Sequence, residues 1–184
     1  AVVLSDEAVV YDGTASNVNT GVVDVSGDKA SLTMTGGVIR NNGIVTGDTN
    51  GYHLTSSGVM LMGNARFDMS GGSIEGNSGY RGSAVLAYSE GEGDSQRAKF
   101  MMTGGQISGN KSSRLEKTFD PSGAVHIEGN AEFTLLKDGK IEDNIAYSDG
   151  KGGGVCVVDR GLQQGGRDHT AFTMKGGSVS GNSA

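Results

Sequence analysis

The chain has 184 residues, a formal net charge of −6 at pH 7, and 33 glycines against one proline and no tryptophan. Nucleic acid is disfavoured as a partner, because an acidic chain lacks the clustered Lys and Arg that neutralise phosphates. The single cysteine, Cys156, excludes an internal disulfide and a multi-cysteine zinc site, and no apolar run is long enough to insert into a membrane.

The N-terminal segment, residues 1–20, contains a degenerate version of a pattern that later segments repeat more regularly. It is predicted to be a terminal coil or cap, followed by regular coils over 21–184, within a single domain covering 1–184. The last residues stop inside a copy of the repeat, so this domain is expected to be a fragment of a larger protein.

From residue 21 onward one unit occurs five times, with the pattern F-x-M-x-G-G-x-I-x-x-N. The copies are SLTMTGGVIRNN, RFDMSGGSIEGN, KFMMTGGQISGN, FTLLKDGKIEDN and AFTMKGGSVSGN. Their final asparagines recur at intervals of roughly 33–38 residues, a period that indicates a solenoid. These asparagines are predicted to form a structural ladder: Asn42, Asn77, Asn110, Asn144 and Asn182.

A second short segment with alternating apolar residues precedes each unit: GVVDVSG, GVMLMGN, SAVLAYS, GAVHIEGN and GGVCVVD. Strands with this period exclude helical repeats, and coils stacked at roughly 4.8 Å would form parallel ladders around one core. Four inward columns are predicted: Val23, Val59, Ala84, Val125, Val155; Val25, Leu61, Leu86, Ile127, Val157; Leu32, Phe67, Phe100, Phe133, Phe172; and Ile39, Ile74, Ile107, Ile141, Val179. The sequence therefore predicts an all-β parallel solenoid of about five coils with loop inserts.

The phrase F-x-M-x-G-G-x-I-x-G-N, followed by G-G-G-V-x-V, resembles the Gly-rich repeats of bacterial and archaeal adhesin-like surface proteins from about Gly21 to the end. The resemblance implies a single-stranded right-handed parallel β-helix with pectate-lyase-like architecture. It also implies secretion, display at the cell surface and a binding role. No functional residue comes with it, because the motif positions belong to the scaffold.

Two local departures from the repeat carry further predictions. The copy FTLLKDGK has one extra residue, which predicts a bulge near Leu135 and Leu136. An outward column in the second set of strands is unusually apolar, and it is expected to be covered by the excursions at 88–98 and 159–170 or to meet another chain. That column is Asp24, Met60, Val85, His126 and Cys156, flanked by Met62, Ala87 and Val158.

Variable inserts follow the repeated asparagine of every full coil, and each insert carries an aromatic residue near a basic or imidazole group. Stacked coils would align these side chains along one edge, where rings could contact sugars and Arg could bond hydroxyls or carboxylates. We hypothesise that this ridge binds a glycan, from a host or the environment, or a protein; alternatively, the rings cover the corner of each coil. The ridge comprises Tyr52, His53, Tyr80, Arg81, Arg114, Lys117, Phe119, Tyr147 and Lys151.

A polysaccharide lyase or hydrolase is the alternative on the same fold, and it would need paired carboxylates across a scissile bond. The outward acids Asp24, Asp68 and Glu128 are expected to be ordinary solvated residues, so an enzyme is not the favoured interpretation. No cofactor is expected beyond a weak calcium site in the acidic loop YSEGEGDSQR, with Glu90, Glu92 and Asp94 as its ligands.

Two more alternatives concern surfaces of the solenoid itself. Ice binding would use an outward column of Thr35, Ser70 and Thr103, but this column is predicted to continue as Lys137 and Lys175. Head-to-tail stacking of copies would give a filament, because uncapped parallel edges invite open-ended association. Cys156 is expected to be a small apolar filler.

Overall fold

The structure is a computed structural model that describes residues 1–15, 20–44, 55–91, 93–112, 122–147, 151–159 and 169–184. This part of the chain is built from short strands, with one turn of 3-10 helix at Asp94–Gln96. The strands are β1 (Val2–Leu4), β2 (Val9–Tyr11), β3 (Thr14–Ala15), β4 (Thr20–Ser26), β5 (Ser31–Met34), β6 (Val38–Arg40), β7 (Gly43–Ile44), β8 (Thr55–Met62), β9 (Arg66–Met69), β10 (Ser73–Glu75), β11 (Ser78–Gly79), β12 (Val85–Ser89), β13 (Ala98–Met102), β14 (Gln106–Ser108), β15 (Lys111–Ser112), β16 (Val125–Gly129), β17 (Ala131–Leu135), β18 (Lys140–Glu142), β19 (Ile145–Ala146), β20 (Val155–Val158), β21 (Ala171–Met174) and β22 (Ser178–Ser180).

Equivalent strands of successive coils pair in parallel and form three long sheets. Sheet 1 has the order β1-β5-β9-β13-β17-β21, sheet 2 the order β2-β6-β10-β14-β18-β22, and sheet 3 the order β20-β16-β12-β8-β4. Two short sheets, β11-β15-β19 and β3-β7, follow sheet 2 along the chain. The predicted all-β parallel solenoid is confirmed, and the chain makes four turns from Asn42 to Asn182, close to the predicted count of about five coils.

Sheet 1 stacks the aromatic positions of the repeat in one inward column. The predicted column is confirmed, with each member paired to the next: Leu32, Phe67, Phe100, Phe133 and Phe172. The successive phenyl rings stack with centroids 4.8, 4.5 and 5.0 Å apart. These distances match the spacing of parallel strands, so the ladder of backbone hydrogen bonds also fixes the ring stacking.

Sheet 2 contributes the second predicted column of the core. Its members are in register as predicted: Ile39, Ile74, Ile107, Ile141 and Val179. The tight corner between sheets 1 and 2 requires glycine, as Gly72 illustrates. It has a φ of +80°, and a Cβ on it would lie 2.6 Å from the carbonyl oxygens of both Gly36 and Gly37. The Gly-Gly of the repeat is therefore a packing requirement of stacked corners.

The repeated asparagines form a continuous hydrogen-bonded ladder at the corner that follows sheet 2. Backbone N and side-chain Nδ2 of Asn77 donate to Oδ1 of Asn110 at 3.0 and 2.9 Å, and Nδ2 of Asn110 donates to the carbonyl oxygen of Ile74 at 2.9 Å. Gly13 holds the equivalent position in the first coil, and its backbone N donates to Oδ1 of Asn42 at 2.8 Å. The complete ladder is Asn42, Asn77, Asn110, Asn144 and Asn182.

Sheet 3 departs from the predicted register in one coil. Val85 pairs with the inward valines of both neighbouring strands, so Val85 takes the place predicted for Ala84, and Ala87 takes that of Leu86. Arg81 and Ser122 form a bridge between the corners that precede β12 and β16. The turn from Arg81 to β12 contains one residue more than the turn from Ser122 to β16. The remaining members of both columns are in the predicted register: Val23, Val59, Val125, Val155, Val25, Leu61, Ile127 and Val157.

The bulge predicted near Leu135 and Leu136 is wrong. Strand β17 stays in register with both neighbours through Leu135. The extra residue lies in the following turn, where Lys137 adopts a φ of 50°. A turn absorbs the insertion without breaking a ladder hydrogen bond. As a result Leu136, rather than Lys137, follows Thr103 in the outward column of Thr35, Ser70 and Thr103. An apolar residue therefore interrupts this column of hydroxyl groups.

Candidate functional site

Four of the five residues in the outward column of sheet 3 are buried, and Asp24 is exposed. Leu86 occupies the position predicted for Val85, and Tyr88 lies in the flanking column where Ala87 was predicted. Met60 and Leu86 are fully buried and pack with Met62 and Tyr88. The outward column is Asp24, Met60, Leu86, His126 and Cys156. Its apolar residues therefore form a second, smaller cluster outside the solenoid core.

A buried polar cluster lies beside these apolar residues. Oε2 of Glu128 accepts hydrogen bonds from Nη1 of Arg81 at 3.0 Å and from Nε2 of His126 at 2.7 Å. Nδ1 of His126 lies 2.5 Å from Oγ of Ser122, and all four residues are buried. The expectation that Glu128 is solvated is wrong, because this carboxylate is fully buried. A buried carboxylate needs a cation and hydrogen-bond donors, and the cluster supplies both.

The structure describes four residues of the predicted ridge. Arg81 is buried against Glu128, so its guanidinium does not face solvent, whereas Tyr147 and Lys151 are exposed. Tyr80 is half-buried, and burial raises the pKa of its hydroxyl. The other predicted ridge residues lie outside the described part of the chain: Tyr52, His53, Arg114, Lys117 and Phe119.

A cleft with a volume of about 440 Å³ lies at the corner between sheets 3 and 1. Equivalent corners of three successive coils contribute to its lining: Asp28 from the first, Asn64 from the second, and Glu90 together with Tyr88 of β12 from the third. Stacking brings these residues together although they are far apart in sequence. The third turn is lengthened by the insert at 90–97, and Gln96 of this insert also lines the cleft.

Asn130 of the next coil positions the insert that forms one wall of the cleft. Its Nδ2 donates to the carbonyl oxygen of Gly93 at 2.7 Å, and its Oδ1 accepts from Nε of Arg97 at 3.0 Å. Ser89 holds the insert from the other side, because its Oγ donates to the carbonyl oxygen of Gln96. Asn130 is fully buried, so the insert is attached to the rigid sheet rather than to solvent-exposed groups.

The lining of the cleft combines one ring with several hydrogen-bonding groups. The hydroxyl of Tyr88 donates to Oε1 of Glu90, and its ring packs against the small apolar cluster. Nδ2 of Asn64 donates to the backbone oxygen of Asp28 at 3.1 Å. A Cβ at Gly63 would meet no atom within 4 Å, so the cleft is open at this position. An aromatic face, amides and carboxylates are the groups that bind a hydroxylated ring.

The predicted calcium ligands fall partly within this cleft. Glu90 lines it, Glu92 lies outside the described residues, and Asp94 begins the 3-10 turn. Among the residues that the structure describes, no group of three or more His, Cys, Asp or Glu side chains is arranged to hold a metal ion. Calcium binding stays a prediction.

The thiol of Cys156 is buried in the outward column of sheet 3. Burial raises its pKa, and this effect exceeds the opposing influence of the positive charges of Lys151 and Arg81. A thiol whose pKa is raised is a poor nucleophile at neutral pH. The environment of Cys156 therefore fits the predicted role as a small apolar filler.

Comparison with known protein families, characterised proteins and solved structures finds no match for this chain. The fold is therefore shown by the strand pairing, and the adhesin-like resemblance stays an expectation. The described residues contain no helix with the length and apolar character needed to cross a membrane.

Proposed function

We propose that this chain is an adhesin-like binding module, secreted or displayed at a cell surface, which recognises a glycan in the cleft between sheets 3 and 1. The observation that carries the proposal is the cleft itself, to which three coils contribute Tyr88, two carboxylates and two side-chain amides. Its volume of about 440 Å³ lies within the range typical of small-ligand sites.

The construction of the cleft supports binding to a preformed surface. Asp28 and Asn64 lie in short turns between paired strands, and Asn130 holds the insert that bears Gln96. A site on rigid elements loses little conformational entropy when it binds a ligand. The predicted ridge is a weaker candidate, because Arg81 is bonded to a buried carboxylate.

A polysaccharide-active enzyme is the second candidate, and the observation that favours it is the presence of both Asp28 and Glu90 in the cleft. Two carboxylates are the minimum for acid-base cleavage of a glycosidic bond. Incubation with a panel of polysaccharides decides between the candidates. New reducing ends or unsaturated products would establish the enzyme, and binding without turnover would support the binding module.

The binding proposal is tested on a glycan array with wild type, Gln96→Ala and Tyr147→Ala. Gln96 and Tyr147 are both exposed, so neither change should disturb the core. We expect Gln96→Ala to lose signal and Tyr147→Ala to retain it. The reverse result would assign binding to the ridge, and no glycan signal from wild type would overturn the proposal. Head-to-tail association stays a separate prediction, tested by light scattering.

A further inference from the structure

The described lining of the cleft carries negative charge without a compensating cation. Asp28 and Glu90 contribute carboxylates, whereas Lys29, which follows Asp28 in the chain, does not line the cleft. Arg97, at the end of the insert, instead bonds Asn130 and lies 3.2 Å from a carboxylate oxygen of Glu132. The cleft is therefore a region of negative potential on an acidic protein.

We infer that the ligand of this cleft carries an ammonium group, and that it is an amino sugar with a free amine. This inference rests on the proposed glycan-binding function. A uronic acid or another acidic sugar would bring a third negative charge beside two carboxylates and be repelled. An ammonium group would be attracted by both carboxylates.

The remaining groups of the cleft favour a sugar over a basic peptide as the carrier of the amine. The amides of Asn64 and Gln96 supply donors and acceptors that pair with ring hydroxyls. The open position at Gly63 admits a ring edge close to the backbone. A lysine side chain would use the carboxylates and leave these amides without a ligand partner.

The test is calorimetric titration of the 184-residue chain with three tetrasaccharides that differ in charge: the glucosamine tetramer, its fully N-acetylated form, and a galacturonate tetramer. We expect the amine form to bind about twofold to fivefold more tightly than the N-acetylated form, since one exposed charge pair contributes up to about a factor of five. The preference should decrease in high salt, which screens exposed charges.

Two isosteric variants, Asp28→Asn and Glu90→Gln, locate the effect. Both residues are exposed, so neither replacement should alter the fold, and circular dichroism checks this. Each variant should lose about twofold to fivefold in affinity for the amine form and should lose less for the N-acetylated form, which brings no positive charge to the carboxylates. Unchanged affinity of both variants for the amine form would overturn the inference.

Four results separate the possible failures. Equal affinity for the amine and N-acetylated tetramers would overturn the charge preference and leave the glycan site intact. Tighter binding of the galacturonate form would do the same. Absence of binding to every tetramer would overturn both the inference and its assignment to this cleft. A lysine tetrapeptide that binds as tightly as the amine tetramer would show that the partner is a basic peptide.

Discussion

Replacement of Asn110 by Ala tests how much one member of the asparagine ladder stabilises the solenoid. The change removes the Oδ1 atom that accepts hydrogen bonds from backbone N and side-chain Nδ2 of Asn77. The backbone donor has no other acceptor nearby in the ladder, whereas Nδ2 keeps its bond to the carbonyl oxygen of Ile39 at 3.1 Å. The backbone N of Asn77 therefore loses its acceptor, and Nδ2 of Asn77 keeps one of its two acceptors.

The expected loss follows from the burial of this site. Asn77 and Asn110 are both fully buried, so water cannot replace the lost acceptor. A buried donor without a partner costs about 1–3 kcal/mol, and the two affected donors together give an expected loss of about 2–5 kcal/mol. The free energy of unfolding is measured by urea denaturation followed by far-ultraviolet circular dichroism.

Asn182→Ala is the matched control at the end of the ladder. Asn182 accepts the same pair of hydrogen bonds, from backbone N and Nδ2 of Asn144 at 3.0 and 2.8 Å, but it is only half-buried. Water can take its place, so we expect a loss of less than about 1 kcal/mol. Equal losses for Asn110→Ala and Asn182→Ala would refute the reasoning, because burial would then not determine the cost.

Three further predictions concern the core and the buried polar groups. Phe100→Ala should lower the free energy of unfolding by about 3–5 kcal/mol, because it opens a cavity between two stacked rings; a loss below about 1 kcal/mol in urea denaturation would contradict this. Glu128→Gln should cost about 3–5 kcal/mol because it removes the negative charge from a buried ion pair with Arg81, whereas Glu132→Gln, at a more exposed pair, should cost less than about 1 kcal/mol. The thiol of Cys156 should resist iodoacetamide in native protein and react in urea. Because burial raises its pKa in the folded state, the stability it contributes is present below the unfolded pKa and is lost as pH rises through the folded pKa. Denaturation curves at a series of pH values should therefore show its contribution falling with pH, and a contribution that rises with pH would contradict this.

The sequence was sufficient to predict two of the three sheets in detail. In sheets 1 and 2 the same inward position recurs in every copy of the repeat, so Phe100 and Ile107 could be assigned to the core from the repeat itself. Sheet 3 differs because its outward face is also buried at Leu86. In the run Ala84–Ala87 every residue is apolar, and the two-residue period that defines an inward face is lost. The one-residue register error arose there.

The candidate site was less accessible from sequence for a different reason. The residues of the cleft come from three coils, and only the register of stacking brings Asp28 and Asn64 beside Tyr88. The sequence does contain one signal of this site, an insert after the strand that ends at Ser89, which also makes the acidic loop a calcium candidate. The sequence does not predict the burial of Glu128, because this burial depends on Arg81 of the preceding coil, which no local pattern reveals.

The asparagine ladder also contributes a dipole along the axis of the solenoid. From Asn42 to Asn182 each Oδ1 accepts from the preceding coil and each Nδ2 down to Asn144 donates to the following one, so the five amide dipoles point the same way. Aligned dipoles polarise one another, as peptide groups do along a helix. The negative ends of these amides face the first coil and the positive ends face the last, which makes the two ends of the molecule electrostatically different.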